Sequence, residues 1–184
     1  MNGFRLLGDF LPEERNALAE YKDFSDNLNA ALRTGNLTDE LTRRRDALDS
    51  ALTKGVSTDS LALYRATCAT YFPTEVGAEF TDRAFVSTSL NPEGLVSFYC
   101  AEAPAKVLIQ YPANRPLACF EYDEGGGAEN ERLLPRDIRF RVLSHREVVD
   151  RAAILQEQCT AFDRGQLYLR TGAKLVVLEL AIVL

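Results

Sequence analysis

Gly125-Gly126-Gly127-Ala128-Glu129-Asn130-Glu131-Arg132-Leu133-Leu134-Pro135 marks the point where a glycine run gives way to an apolar run. Successive side chains of a strand alternate between faces, so Glu129 and Glu131 share one face of an incipient strand, about 6 to 7 Å apart. Carboxylates that close repel each other, and in a partly closed site they titrate as a coupled pair. As pure structure the pair is a liability; as chemistry it suits a cation. Glu-x-Glu also recurs on solvated strands, so the rest of the chain must decide between the two.

Two further segments bear on the choice. In Phe85-Val86-Ser87-Thr88-Ser89-Leu90-Asn91-Pro92 a β-prone run ends in hydroxyls and then in Asn-Pro, which favours a turn. Ser87 and Ser89 therefore stand near a strand end that a ligand can reach. In Leu61-Ala62-Leu63-Tyr64-Arg65-Ala66-Thr67 the apolar alternation places Arg65 on the face of Leu61 and Leu63. Arginine is seldom buried without a partner, so this guanidinium reads as aimed into a cleft at an anion, and a dinucleotide pyrophosphate matches its fork of donors.

Taken in chain order, Tyr64-Arg65, Phe85-Val86-Ser87-Thr88-Ser89 and Glu129-Asn130-Glu131-Arg132-Leu133-Leu134-Pro135 resemble the Arg-Ser-Glu group of mono-ADP-ribosyltransferases, over about residues 61 to 143. Gly77, Phe80, Phe85, Phe98 and the Leu-Leu-Pro-Arg run extend the resemblance. It implies an α+β fold: a two-sheet mixed β-sandwich core of the ADP-ribosyltransferase type with N-terminal helices. It implies NAD as co-substrate and no metal. By position, Arg65 contacts the NAD phosphates, Ser87 helps hold the nicotinamide ribose and the catalytic Glu, and Glu131 is the catalytic carboxylate. Ala66, Thr88, Ser89 and Phe98 fall in the implied NAD-binding set. Glu129 stands where Glu accompanies transfer to arginine and Gln accompanies other acceptors; Tyr122, in the preceding loop, falls where the family selects its target. Ala66 departs from the Gly often found after the strand Arg. The related His-Tyr-Glu group is excluded, because it needs a His before its catalytic Glu and His145 is the sole histidine.

The implied chemistry has a physical logic. Loss of nicotinamide builds positive charge on the ribose, which the Glu131 carboxylate stabilises while bonding a ribose hydroxyl. An arginine acceptor is protonated, with a pKa above about 12, and must lose a proton as it attacks, which is the task for Glu129. Three readings stay open at this point: transfer to an arginine of a target protein, hydrolysis of NAD by water in the same pocket, and a non-catalytic binding module.

Composition fits a compact enzyme. The 184 residues, 46% hydrophobic and 26% charged, fall within the range of one globular domain. We expect a single domain, with residues 1–57 helical and 58–184 forming the β-rich catalytic core, acting as a monomer. The net charge of −6 argues against a general nucleic-acid binder and leaves nucleic acid open only as an acceptor. No apolar run reaches a membrane span of about 18 to 20 residues, and the start lacks a signal-peptide core, so the expected home is cytoplasmic, with delivery into a target cell as the variant. Cys68, Cys100, Cys119 and Cys159 have no metal-type spacing and read as reduced core thiols.

Periodicity predicts helices over about Pro12–Leu32, stopped by Gly35, and Thr38–Lys54, closed by Gly55. Strands are expected near Leu61–Thr67, Ala84–Ser89, Lys106–Tyr111, Glu131–Leu134, Arg139–Leu143 and Lys174–Leu184. A short helix over about Glu93–Ala101 would turn Phe98 inward. Ser144-His145-Arg146-Glu147 has the form of a capping box and predicts a helix of about four turns over 145–159, with His145 exposed at its start.

Overall fold

The computed structural model describes residues 4–6, 9–92, 95, 98–100, 102–122, 130–157 and 174–184, with only the backbone described at 4–6 and 119–122. Helix α1 spans Pro12–Thr34. Pro12 stands at its first position, where no intrahelical N–H is needed, and the Glu14 carboxylate accepts from the Leu11 N–H at 2.7 Å. Gly35 ends it with φ of 79°, the left-handed conformation that glycine adopts without steric cost. Helix α2 spans Asp39–Leu52, its N-terminus capped by Thr38 Oγ1 accepting from the Leu41 N–H at 3.2 Å. It ends before Gly55. That glycine serves a close approach instead: a Cβ there would lie 2.0 Å from the Leu117 carbonyl oxygen.

Among the described residues nine strands, the first of them ahead of α1, form one hydrogen-bonded series: β1 Phe4–Leu6, β2 Leu61–Cys68, β3 Glu79–Asp82, β4 Val86–Ser89, β5 Pro104–Tyr111, β6 Ala118–Tyr122, β7 Glu131–Leu134, β8 Ile138–Val148 and β9 Leu175–Ile182. Their spatial order is β1-β6-β7-β4-β2-β5-β9-β8-β3. All adjacent pairs are antiparallel except β5 and β9. The series divides into a four-strand and a five-strand half, because β2 and β4 exchange the single pair Tyr64–Ser89. The two halves face each other. Val86 and Leu134 from one pack with Leu63, Val107, Ile109, Phe140, Val142 and Leu178 from the other. This is the expected two-sheet sandwich.

The outer face of the four-strand half carries Phe85 and Leu133, covered by Leu18, Tyr21 and Leu28 of α1 and Leu48 and Leu52 of α2. Burying such side chains contributes about 1.5–3 kcal/mol each, an upper figure for folding because the unfolded chain already hides part of that surface. Helix α3, Arg151–Glu157, sets Ile154 against Val148 and Leu175 on the outer face of the other half.

Several expectations are corrected. Residues 144–147 do not open a helix; they continue β8, where Ser144 through Val148 pair with Glu179 through Leu175 of β9 after a register shift between Val142 and Ser144. The long β9 ladder satisfies these backbone groups and overrides the local capping pattern. The helix begins later, where Asp150 Oδ1 accepts from the Ala153 N–H at 2.9 Å, and is described over Arg151–Glu157; residues 158 and 159 of the expected span lie outside the described residues. His145 is thus a half-buried strand residue opposite Leu178. Strands β1, β3 and β6 were not anticipated, and β1 lies in the part expected to be helical. Phe98 is 52% exposed rather than turned inward. Cys68 and Cys100 are joined in a disulfide across 32 residues, their Cα atoms 5.1 Å apart, and so are not reduced thiols. Disulfides persist in oxidising environments, which removes the cysteine argument for a cytosolic home. Nothing is described for Cys159 or for the side chain of Cys119.

Candidate active site

Strand parity places the key side chains. Along β4 and the residue before it, Phe85, Ser87 and Ser89 point to one face; along β7, Glu131 and Leu133 do the same. Phe85 and Leu133 lie under the helices, and Ser87 and Glu131 continue that face into the space below α1. Beyond the lone Tyr64–Ser89 pair, β2 and β4 no longer pair, and between them lies a cleft of about 500 Å³. Arg65, Ala66, Thr67 and Cys68 line it from β2, Ser87, Thr88 and Ser89 from β4, and Glu131 from β7.

Arg65 Nη1 donates to the Ser87 carbonyl at 2.9 Å, and the Ser87 hydroxyl donates to Glu131 Oε1 at 2.5 Å. One residue of β4 therefore connects the guanidinium to the carboxylate. Burial pushes the Arg65 guanidinium below its usual pKa, with the Tyr21 hydroxyl and Asp82 acting in the opposite direction. Among the described residues no carboxylate lies within 4 Å of it, so part of its donor fork is available to an anion entering the cleft. Glu131 is 5% exposed, and its second oxygen meets Lys22 Nζ of α1 at 2.6 Å.

The other hydroxyls of the Ser-Thr-Ser run have structural duties. Thr88 Oγ1 donates to the Arg132 carbonyl at 2.7 Å, tying β4 to β7. Ser89 Oγ donates to the Asn91 carbonyl at 2.9 Å and accepts from the Asn91 N–H at 2.8 Å, which shapes the turn into Asn-Pro. Ala66 and Phe98 also line the cleft, Phe98 at its exposed mouth. Glu129 lies outside the described residues, as does the side chain of Tyr122.

Helix α1 supplies residues that the sequence reading passed over. Ser25, Asn29 and Arg33 recur at spacings of four on one helical face after the irregular Phe24, and they line the cleft together with Lys22 ahead of it. Arg33 grips Asp82 through Nε and Nη2 at 3.1 and 2.9 Å and lies over the Tyr71 ring at 5.3 Å. Tyr21 gives its proton to the Phe85 carbonyl at 3.2 Å and therefore accepts from Asn29 Nδ2 at 2.9 Å. Burial pushes the Tyr21 hydroxyl up to about 12, so it stays protonated and able to donate. The arrangement leaves Asn29 Oδ1 buried without a partner among the described residues, an acceptor in the wall of the cleft. These polar residues carry no separate signal in the sequence, because the apolar stripe beside them accounts for the helix by itself.

A model of the ADP-ribosyltransferase exoenzyme family matches residues 7–169. The chain belongs to that family. Among solved structures, the fold is similar to Plx2a, an ADP-ribosyltransferase toxin from Paenibacillus larvae, at 17% identity and a TM-score of 0.65, covering 95% of this chain and 88% of that one. It is also similar to the Clostridium limosum C3 exoenzyme, at 15% identity and a TM-score of 0.66, covering 96% and 87%. A third structure, C3stau2 from S. aureus with NAD, shares 14% identity at a TM-score of 0.64, covering 95% and 88%. At these identities the likeness is one of fold. Among curated proteins no sequence match is found. Membership of the ADP-ribosyltransferase exoenzyme family sets the class of activity and bears out the resemblance drawn from the Arg, Ser-Thr-Ser and Glu-x-Glu segments. No helix among the described residues is long and apolar enough to cross a membrane.

Proposed function

We propose that the protein transfers ADP-ribose from NAD to an arginine side chain of a target protein, releasing nicotinamide. The observation that carries this reading is the convergence of Arg65, Ser87 and Glu131 on one cleft, with Ser87 bonded to both of the others. The residues fit NAD. The cleft has the size of a dinucleotide site, Arg65 supplies positive charge for a diphosphate, and the buried Asn29 Oδ1 awaits a donor.

Cleavage of the bond between nicotinamide and ribose leaves positive charge on the ribose. Glu131, nine-tenths buried and oriented by Ser87, is placed to stabilise that charge and to accept from a ribose hydroxyl. Burial strengthens the effect, because a carboxylate acts over a longer range where water is excluded. Ser87 holds the carboxylate in one rotamer, so no reorganisation is needed as the charge develops. Arg65, anchored to the Ser87 carbonyl, directs its remaining donors at the diphosphate and fixes the far end of the substrate.

Arginine as the acceptor rests on Glu129, the first carboxylate of Glu-x-Glu, in the role of the base that relieves the incoming guanidinium of a proton. Tyr122, at the end of β6, is assigned to target recognition on the same grounds. The Cys68–Cys100 disulfide favours a protein that spends time outside a reducing cytosol, in keeping with delivery into a target cell. The test is incubation with labelled NAD and a cell lysate, followed by mass spectrometry of the modified residue. Label on arginine of a discrete protein supports the reading; release of nicotinamide without protein label favours hydrolysis, and label on another residue type removes the arginine assignment.

A further inference from the structure

Glu131 Oε1 accepts from the Ser87 hydroxyl at 2.5 Å, while Oε2, buried and without a hydrogen bond among the described residues, faces the Lys22 ammonium as an ion pair at 2.6 Å. The Lys22 side chain is 18% exposed and that of Glu131 7%, so the pair lies within the cleft wall rather than on an open surface. The two partners have different consequences. A hydroxyl bonded to one oxygen orients the carboxylate and leaves its charge intact. An ammonium on the other oxygen neutralises that charge and covers the oxygen that Ser87 leaves open. If Glu131 stabilises positive charge on the ribose, as the proposed function holds, one carboxylate cannot serve two cations at once, because they repel across a site that excludes water.

We propose that Lys22 is a counter-ion latch on Glu131, holding the carboxylate in place before NAD arrives and displaced from Oε2 by the nicotinamide ribose. The inference rests on the NAD reading given above. The local backbone suits such a movement. Two residues on, Phe24 departs from helical geometry with φ of −141° and ψ of 49°, breaking α1 between Lys22 and Asn29. Arg44 Nη2 of α2 donates to the Phe24 carbonyl at 3.3 Å, holding the break in place. Lys22 can therefore withdraw without disturbing the helical turns that carry Asn29 and Arg33.

The latch predicts an effect opposite in sign to that of an ordinary binding lysine. Calorimetry with a carbocyclic NAD analogue, whose nicotinamide bond cannot be cleaved, gives the affinity directly. Lys22→Met should bind the analogue about two- to fivefold tighter than the parent, since no ion pair need be broken. Lys22→Arg, which keeps the pair, should bind like the parent. In a Glu131→Gln background Lys22→Met should have no effect on affinity, because the neutral amide offers no ion pair to break. Unchanged or weaker binding by a folded Lys22→Met protein overturns the latch, and so does tightening that persists in the Glu131→Gln background. Failure of the parent protein to bind the analogue at all would instead sink the NAD reading, and the latch with it.

Discussion

Ser87 and Glu131 are diagonal, not opposite, neighbours across β4 and β7: the register pairs Glu131 with Ser89 and Ser87 with Leu133, and the Ser87 hydroxyl crosses to Glu131 Oε1 at 2.5 Å. Diagonal same-face positions lie about 7–8 Å apart along the pleat, a gap that the longer glutamate side chain closes. The middle of β4 thus fixes the carboxylate, while Ser89, directly opposite Glu131, is left to shape the turn.

Ser87→Ala removes that tether and leaves the fold alone, since the β4 backbone pairing and the Thr88–Arg132 bond remain. NAD cleavage should fall by about 10- to 100-fold in kcat, as expected for loss of a group that orients the reacting carboxylate. NAD affinity should change less, because the Arg65 contact is to the backbone carbonyl of Ser87 and survives the substitution. Steady-state rates with circular dichroism on the same sample check this. A drop confined to KM would assign Ser87 to binding instead.

Glu14 makes stability depend on acid. It is buried at the start of α1; burial alone raises its pKa, but hydrogen bonds from Lys54, Ser50 and the Leu11 N–H outweigh that and hold it below the ordinary 4.5. The lowered folded value means that the unfolded chain binds the proton more readily. The contribution is therefore complete above about pH 4.5 and is lost as pH falls through the lower folded value. In Glu14→Gln the thermal midpoint should lose part of its acid dependence below pH 4.5 and be lower than the parent at pH 7. Parallel midpoint curves from pH 3 to 7 would show that Glu14 carries no such linkage.

The Cys68–Cys100 bond closes a loop of 32 residues, for which chain entropy gives a stabilisation of about 3 to 4 kcal/mol. Replacing both cysteines by serine should lower the denaturation midpoint by a corresponding amount. Since both residues line the cleft beside Leu95 and Phe98, NAD binding should weaken as well. Reductant should reproduce the effect in the parent and do nothing to the double variant; equal stability of oxidised and reduced protein would contradict it.

Sequence legibility followed the reach of the interactions concerned. Glu131–Leu134 was readable to the residue because a glycine run, a charge pair and a proline bracket it. Arg65 was readable because a cation on an apolar strand face demands an explanation. Both helices were readable from period and caps. What failed was decided at long range. Ser144–Glu147 carries a sound local capping pattern, yet β9, three decades of residues away, offers a full ladder of hydrogen bonds. The short strands β1 and β3 gain their stability from β6 and β8, and nothing within three or four residues of their own encodes that pairing. The disulfide joins cysteines whose spacing means nothing until β2 and the segment before β5 are brought together. Lys22 was hidden for a different reason: on α1 it sits beside Tyr21, whose apolar stripe accounted for the helix without it.

The division of labour between the two carboxylates is the central claim, and rates of NAD hydrolysis and of arginine labelling in Glu131→Gln and Glu129→Gln test it most directly. Glutamine keeps the shape and removes the charge, so Glu131→Gln should lose both activities by about 100-fold or more while remaining folded. Glu129→Gln should lose arginine labelling yet keep most hydrolysis, because water has no guanidinium proton to surrender. Near-normal NAD cleavage by a folded Glu131→Gln protein, or equal loss of both activities at Glu129, would contradict the account.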